Sequence, residues 1–229
     1  MREALIVWGG WSGHEPEQGS VIVAKMLEED GFKVYVENTT EAFADPAIAD
    51  MSLIVPICTM IKIEKEELDN LVKAVRNGVG LAGYHGGMCD SFRDAVDYHF
   101  MCGGQWVAHP GSIIDYRVNV TKPADPVMAG IVDFPYRSEQ YYMHVDPSNE
   151  VLATTTFSGE HAPWIKDVVM PVVWKRHHGK GRVFYSSLGH VTSEFSVPQM
   201  ATIVMTHAIA TNRLRWTLEP STLKVSSGP

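Results

Sequence analysis

The length, composition and charge of the chain exclude several classes of protein. Its 229 residues, 45% hydrophobic and 20% charged, suffice for one large core but are few for several independent domains. Its 19 basic and 27 acidic residues give a formal net charge of −8, and no basic cluster stands out that would neutralise a row of phosphates. We therefore expect a single domain that does not bind nucleic acid.

The sequence shows no sign of a membrane or secretory destination. No apolar run approaches the roughly 20 residues that span a bilayer, and the run at residues 4–8 is too short for the core of a signal peptide. The cysteines lack a Cys-x-x-Cys pair, which argues against a disulfide framework and a thiolate zinc site; they are Cys58, Cys89 and Cys102. We predict a cytoplasmic protein without membrane contact.

The first part of the chain alternates short apolar runs with longer amphipathic stretches, the pattern of β-α-β units around a parallel sheet. Gly31 and Gly78 end the first two helices, and a glycine-rich loop follows the first strand. The predicted elements are strands at 4–8, 32–37, 51–57 and 79–84, helices at 20–30 and 64–77, and a helix around 92–101.

Beyond Gly103 the chain carries many prolines and shorter predicted strands. These strands lie at 113–120, 151–157, 172–176 and 182–187, and a helix around 200–208 closes the domain. A hairpin loop at residues 177–181 is expected to leave His177 and His178 in solvent, whereas His207 is expected in the core. We predict one domain over residues 1–216 and a flexible tail over residues 217–229.

The motif with the clearest chemical meaning is Gly83-Tyr84-His85-Gly86-Gly87. Its spacing is that of a nucleophile elbow, in which a strand turns sharply into a helix and raises the central side chain at the carboxyl edge of the sheet. A histidine at the start of a helix is expected to stay neutral, because the positive end of the helix dipole disfavours imidazolium. His85 is therefore a candidate base, hydrogen-bond donor or metal ligand.

Two further histidines follow predicted strands and are expected at the same edge. His14 follows the first strand, and His190 follows the strand at 182–187, so the three imidazoles converge if that strand is parallel to the first. Either they hold a divalent metal such as zinc, or they form a metal-free acid-base cluster. Candidate catalytic carboxylates beside them are Glu139 and Glu194.

Aromatic and polar residues near these positions are candidates for substrate binding. Trp11 lies in the His14 loop, and tyrosines beside His144 suit a sugar or another small polar ligand. For His109 and His144 a surface role is the simpler interpretation, and Asp90 could instead bond to backbone near a helix start. The candidate substrate-binding residues are Trp11, Asp90, His109, Tyr141 and His144.

Several blocks of sequence together resemble the ThuA-like (trehalose utilisation) family, a branch of the class I glutamine amidotransferase-like superfamily. They are the elbow motif, the run from Met101 to Pro110, Glu139-Gln140-Tyr141-Tyr142, Pro171-Val172-Val173-Trp174, Gly179-Lys180-Gly181-Arg182-Val183-Phe184-Tyr185 and Gly189-His190. The resemblance implies a flavodoxin-like α/β sandwich with a mostly parallel central sheet. It also places His85 at the amidotransferase nucleophile position and His190 at that of the catalytic histidine.

The residue at the elbow departs from the amidotransferase pattern. An imidazole cannot form the thioester that glutamine hydrolysis needs, and Cys89 is misplaced to replace it. The resemblance implies instead a role in the catabolism of trehalose and related disaccharides, including 3-keto sugars made by partner dehydrogenases. The Gly-x-Gly-x-x-Gly match at residues 78–83 follows a helix and opens a strand, so no nucleotide cofactor is expected.

Two functional hypotheses follow from these observations. The first is an isomerase, lyase or hydrolase that acts on a keto-sugar: histidine abstracts a proton beside the carbonyl, a metal or second histidine polarises that carbonyl, and Glu139 or Glu194 shuttles a proton. The second is a non-catalytic module that binds a sugar or a partner. A weaker third is a cysteine hydrolase using Cys58 or Cys89. Candidate protein partners are a second copy of the chain and a sugar dehydrogenase.

Overall fold

The computed structural model describes residues 2–210 of the chain, with side chains to residue 204. The predicted tail at 217–229 and the predicted core position of His207 lie outside this description. Within the described part, no helix is long and apolar enough to cross a bilayer. The elements are β1 (Arg2–Gly10), α1 (Pro16–Glu29), β2 (Phe32–Glu37), β3 (Leu53–Thr59), α2 (Lys65–Arg76), β4 (Gly80–Tyr84), α3 (His85–Cys89), α4 (Val96–Cys102), β5 (Gly104–Ala108), β6 (Ile113–Val120), β7 (Phe134–Glu139), β8 (Tyr142–Val145), β9 (Glu150–Thr156), β10 (Val169–His178), β11 (Gly181–Ser186) and α5 (Pro198–Ala210).

A large mixed sheet forms the centre of the fold. Its strand order is β2-β1-β3-β4-β11-β10-β9-β6-β7, and the first five strands are parallel. From β11 onward every neighbouring pair is antiparallel. Strands β5 and β8 form a separate two-stranded sheet. The prediction of α/β architecture is confirmed, and the sheet is mixed.

Helices cover both faces of the parallel half, which explains its continuous apolar strands. Every residue of β3 and β4 is buried, as expected for strands packed on two sides. On one face, Val23 and Leu27 of α1 share a core with Ile203 of α5. On the other face, α2 and α4 contribute to a second core through residues such as Leu71 and Tyr98. The parallel half of the sheet thus lies between two layers of helices, and the carboxyl ends of its strands lie together at one edge.

Three local predictions are wrong. The first helix begins at Pro16 rather than at residue 20, because proline is preorganised for the first helical turn. The helix expected around residues 92–101 begins only at Val96, because the short helix α3 ends at Cys89 and a non-helical segment with Phe92 at φ 48° intervenes. His178 is buried at the end of β10 rather than solvated, because the strand continues through it and the turn is confined to Gly179 and Lys180.

Candidate functional site

Four polar side chains meet at the carboxyl edge of the parallel strands. His14 follows β1, His85 follows β4 and His190 follows β11, which runs parallel to β4. The ring centroids of the three imidazoles lie 4.7 to 5.3 Å apart. Glu139, the last residue of β7, contributes its carboxylate to the same point. The structure thus brings together the three histidines and one of the two carboxylates that the sequence indicated.

The elbow at His85 makes the sharp turn that its sequence predicts, and its backbone is strained. His85 has φ 48°, a left-handed conformation that costs a non-glycine residue energy and is often found at functional sites. The flanking glycines allow close packing: a Cβ on Gly83 would lie 2.6 Å from the Cβ of Met88, and one on Gly87 would lie 3.0 Å from the Cα of Ile57. The His85 ring is consequently held at the bottom of the site, 1% exposed.

Hydrogen bonds fix which nitrogen of His85 faces the other residues. Its Nδ1 lies 2.9 Å from the carbonyl oxygen of Ser187, which accepts only, so Nδ1 carries a proton and donates. Its Nε2 lies 3.1 Å from Oε2 of Glu139 and 3.4 Å from Nδ1 of His190. In the neutral ring this Nε2 lone pair faces a carboxylate, an arrangement that needs a cation or a proton between the two atoms.

The distances within the cluster suit a small cation. Oε2 of Glu139 lies 3.4 Å from Nδ1 of His190 and 3.9 Å from Nε2 of His14. One ligand atom from each of the four residues lies within 4.8 Å of all the others. A tetrahedral zinc ion with bonds of about 2.0–2.1 Å needs ligand atoms about 3.3 Å apart. The distances between these donor atoms are therefore close to those of a tetrahedral metal site.

The pKa values of the cluster residues are shifted in different directions. Burial alone would raise the pKa of Glu139, but hydrogen bonds with His190 and His85 hold that pKa well below its usual range. Burial opposes a charge on His190, whereas its hydrogen bond with Glu139 raises its pKa above the ordinary value. Burial and the neighbouring imidazoles lower the pKa of His14 to about 3. His14 is therefore a neutral donor of a lone pair at any ordinary pH.

The other predicted carboxylate, Glu194, is not turned toward the imidazoles. Its Oε2 accepts hydrogen bonds from the hydroxyl of Tyr136 and, at 3.0 Å, from the backbone N–H of His190. The same Tyr136 hydroxyl accepts the backbone N–H of Gly189 at 3.2 Å. Glu194 thus anchors the loop that carries His190 and supports the site from behind.

Aromatic rings surround the mouth of the site. Trp11, 45% exposed, meets the ring of His14 edge-on at 4.7 Å. On the other side Tyr141 stacks on His85 at 4.1 Å, and Trp106 lies 5.7 Å from the ring of His109. Nε2 of His109 lies 3.7 Å from Oε1 of Glu139, whereas the three cluster histidines contact Oε2 of the same carboxylate.

The remaining predicted binding residues lie farther out. Asp90 is buried in a two-point ion pair with Arg93, whose guanidinium lies 4.9 Å above the Trp106 ring. His144 is exposed on β8, opposite Gln105, and the structure gives it no contact with the cluster. Asp90 therefore supports the aromatic wall through Arg93, and His144 lies at the surface.

The cysteines are poorly suited to nucleophilic chemistry. Cys58 and Cys89 are fully buried, and burial raises the pKa of the Cys58 thiol to about 12 and that of Cys89 well above its usual value. The Cys58 Sγ also donates to the carbonyl of Val7. A thiolate is the reactive form, so the cysteine-hydrolase hypothesis is disfavoured.

Three residues that contact or support the site residues were not predicted from the sequence. Thr59 ends β3 at the same edge, and its hydroxyl lies 2.8 Å from Nδ1 of His14, leaving Nε2 of that ring for the cluster. A polar residue at the end of a buried parallel strand was an available signal for Thr59. Tyr136 and the position of Trp106 depend on the antiparallel strands, which no comparable sequence pattern marks.

The chain is similar to known proteins in both sequence and structure. Residues 3–210 match the family model described as ThuA, trehalose utilisation. A ThuA-like protein from Bacteroides uniformis superposes with a TM-score of 0.76 at 18% identity, covering 93% of each chain. One from Parabacteroides merdae gives 0.73 at 17% identity, covering 94% of this chain and 92% of that one.

A cytoplasmic protein from Salmonella typhimurium has the same fold at a TM-score of 0.63 and 12% identity, covering 92% of this chain and all of that one. The search of the curated proteins gave no match. At these identities the structural likeness shows the fold alone, whereas the family match spans nearly the whole described region. The chain therefore belongs to the ThuA family of trehalose-utilisation proteins.

Proposed function

We propose that the chain is an enzyme of carbohydrate metabolism that acts on a keto-sugar, such as a 3-keto-disaccharide, by metal-assisted acid-base chemistry. The observation that carries the proposal is the convergence of three imidazoles and one carboxylate on a single point at the end of the parallel strands. Ligands of open α/β sheets bind at this edge. Family membership supports the sugar class.

The residues present fit a divalent cation. The ligands would be His14, His85, Glu139 and His190, a nitrogen and oxygen donor set that suits zinc and neighbouring divalent metals. Two of the imidazoles have the outer contacts typical of metal-bound histidine, since His85 donates to the Ser187 carbonyl and His14 contacts the Thr59 hydroxyl. A bound cation would supply Lewis-acid polarisation of a substrate carbonyl.

The burial of the histidines assigns them different tasks. The ring of His85 is enclosed by Tyr141 and bonded through Nδ1, so it holds the centre of the site and does not reach substrate. His109 lies at the mouth with about a third of its side chain exposed. We assign to His109 the abstraction of the substrate proton beside the carbonyl. Oε1 of Glu139 lies 3.7 Å from Nε2 of His109 and would stabilise the imidazolium that results.

The walls of the mouth suit a neutral polar ring. The exposed indole of Trp11 and the partly exposed ring of Trp106 offer apolar faces on which a sugar packs. The substrate would enter between them with its carbonyl toward the cluster. Isomerisation, elimination and hydration at the carbonyl share the same first proton transfer, so the site supports this reaction class.

The order of the parallel strands and the elbow point to one fold type. The parallel half has the strand order β2-β1-β3-β4-β11, which corresponds to the flavodoxin-like order 2-1-3-4-5. With the strained elbow at His85, this supports a fold of the class I glutamine amidotransferase type. Because histidine occupies the elbow, we assign no glutamine hydrolysis to it.

We also propose a cellular location and partners for the enzyme. We place the enzyme in the cytoplasm, without a nucleotide cofactor and without nucleic-acid or membrane contacts. The chemistry of the substrate requires a preceding oxidation of a sugar hydroxyl, which makes a sugar dehydrogenase the fitting functional partner. A second copy of the chain is the other partner that we propose.

Turnover of a 3-keto-disaccharide by wild-type protein, metal-loaded and metal-free, tests the proposal. We expect turnover that depends on the metal and falls at least about 100-fold in His85→Ala and in His109→Ala. His177→Ala is the matched control, because His177 is exposed on the hairpin that joins β10 and β11. Sugar binding without turnover in all preparations would contradict the enzyme and favour the binding module.

A further inference from the structure

Two of the cluster histidines lie on loops whose strands are not neighbours. His14 follows β1 and His190 follows β11, and both β3 and β4 lie between those strands in the sheet. Three strand spacings of about 4.8 Å place the two strands about 14 Å apart. The two rings nevertheless lie with their centroids 5.0 Å from each other. The loops must therefore bend toward each other across two strand ends.

A carboxylate beside His14 joins these loops directly. Oε2 of Glu15 accepts the backbone N–H of Thr192 at 2.8 Å and the hydroxyl of the same threonine. Thr192 lies two residues beyond His190 and begins the 3-10 turn Thr192–Ser196. The contact thus connects the residue after one cluster histidine to the loop of another.

The Glu15 carboxylate accepts hydrogen bonds from Thr192 and none from the first turn of its own helix, α1. Glu15 occupies the N-cap position of α1, where a short polar side chain often accepts a backbone N–H of the first turn. Here it makes no such cap, because its carboxylate is turned to Thr192. Its backbone is also left-handed, with φ 49° and ψ 49°, a conformation that glycine would adopt without strain.

The His190 loop is attached on two sides by two carboxylates. Glu194 binds the N–H of His190 and joins it to Tyr136 and the antiparallel strands. Glu15 binds the other side of the loop and joins it to the loop of His14. With the first contact alone the His190 loop would be fixed to the sheet, but not to the other ligand loop.

We propose that Glu15 is a positioning residue that sets the separation of His14 and His190 by strapping their two loops together. The effect of Glu15 on metal binding rests on the proposed metal-assisted function. The connection between the two loops rests on the observed Glu15–Thr192 contact. Loss of the strap lets the two rings move apart, and metal bonds tolerate displacements of only about 0.2 Å. Metal affinity is therefore the property that the strap controls.

The test combines metal affinity with a measurement on metal-free protein. Zn²⁺ affinity, measured by competition with a chromophoric chelator, is expected to fall about 10–100-fold in Glu15→Ala, the usual cost of losing an outer contact of a metal site. Glu15→Gln keeps an acceptor oxygen and is expected to restore most of the affinity. Glu17→Ala is the matched control, because Glu17 is an exposed acid in the first turn of α1.

A double substitution separates a strap from a general loss of stability. Thr192→Val removes the hydroxyl donor, and the double variant with Glu15→Ala is expected to bind Zn²⁺ no more weakly than Glu15→Ala alone. In metal-free protein the Thr192 amide is expected to exchange its hydrogen at least about tenfold faster in Glu15→Ala, and at the wild-type rate in Glu17→Ala.

Each result decides the question. Affinity loss equal in Glu15→Ala and Glu17→Ala, or additive losses in the double variant, would overturn the strap, as would unchanged exchange at Thr192. If the wild-type protein binds no metal, the proposed function fails. The exchange rate of the Thr192 amide then still decides whether Glu15 joins the loops.

Discussion

Replacing Gly86 by alanine is expected to weaken metal binding strongly while leaving the fold intact. A Cβ at this position would lie 2.5 Å from Cε1 and 2.8 Å from Nδ1 of His14, and 3.1 Å from the hydroxyl of Tyr141. Ordinary contact begins at about 3.4 Å, so the His14 ring must shift by about 0.9 Å. Metal–ligand distances tolerate only about 0.2 Å.

The same substitution has little reason to unfold the protein. Gly86 lies in α3 with a backbone that alanine adopts, and alanine is favoured over glycine in a helix by about 1 kcal/mol. That gain partly offsets the cost of moving His14. We therefore expect a small change in the free energy of unfolding together with a fall in Zn²⁺ affinity of at least about 100-fold.

Chelator competition and urea unfolding of the same preparations measure both quantities. Gly9→Ala is the matched control, because a Cβ on Gly9 would meet only the Ile61 side chain at 3.8 Å, an ordinary contact. Wild-type Zn²⁺ affinity in Gly86→Ala would refute the assignment of His14 as a ligand. A large loss in Gly9→Ala would show that the end of β1 tolerates no added methyl group and that the effect is not specific to His14.

Three further predictions concern the cysteines, the support of the His190 loop and pH. Because Cys58 and the other thiols are buried, iodoacetamide should leave turnover by native protein unchanged, and inactivation would revive the cysteine hypothesis. Tyr136→Phe removes a donor to Glu194 and should lower the urea unfolding free energy by about 1–3 kcal/mol; an unchanged value would contradict this support. The pKa of His14 is lowered in the fold, so the unfolded chain of metal-free protein binds the extra proton, and stability should fall as pH is lowered from about 6.5 to 3. His14→Asn should flatten that slope, and an identical slope in the variant would exclude His14 as its source.

The parallel half of the fold and the elbow were predictable from sequence because their signals are local. The strand β2 and the strand β6 have the bounds that their apolar pattern predicts. The glycines around His85 predict a turn whose strained backbone the structure shows. Parallel strands place all their carboxyl ends at one edge, so His14 and His190 were expected at the same edge. The 5.0 Å approach of their rings depends instead on loops that bend toward each other across two strand ends.

The antiparallel half and the roles of the carboxylates were not predictable in the same way. The orientation of Glu139 depends on β7, a strand that the sequence pattern did not reveal and that lies far along the sheet. Glu194 was expected among the imidazoles, but the Tyr136 hydroxyl and a backbone N–H hold its carboxylate behind them. Such choices between competing hydrogen-bond partners are made by tertiary contacts and leave no periodic signal in the sequence.

Anomalous X-ray scattering from crystals of the zinc-loaded protein would locate a bound metal ion directly. The account predicts a single strong peak at the cluster, within about 2.0–2.3 Å of atoms from His14, His85, Glu139 and His190, and its absence in crystals of His85→Ala. A structure of the loaded protein with no peak at this point, or with the metal bound elsewhere, would contradict it.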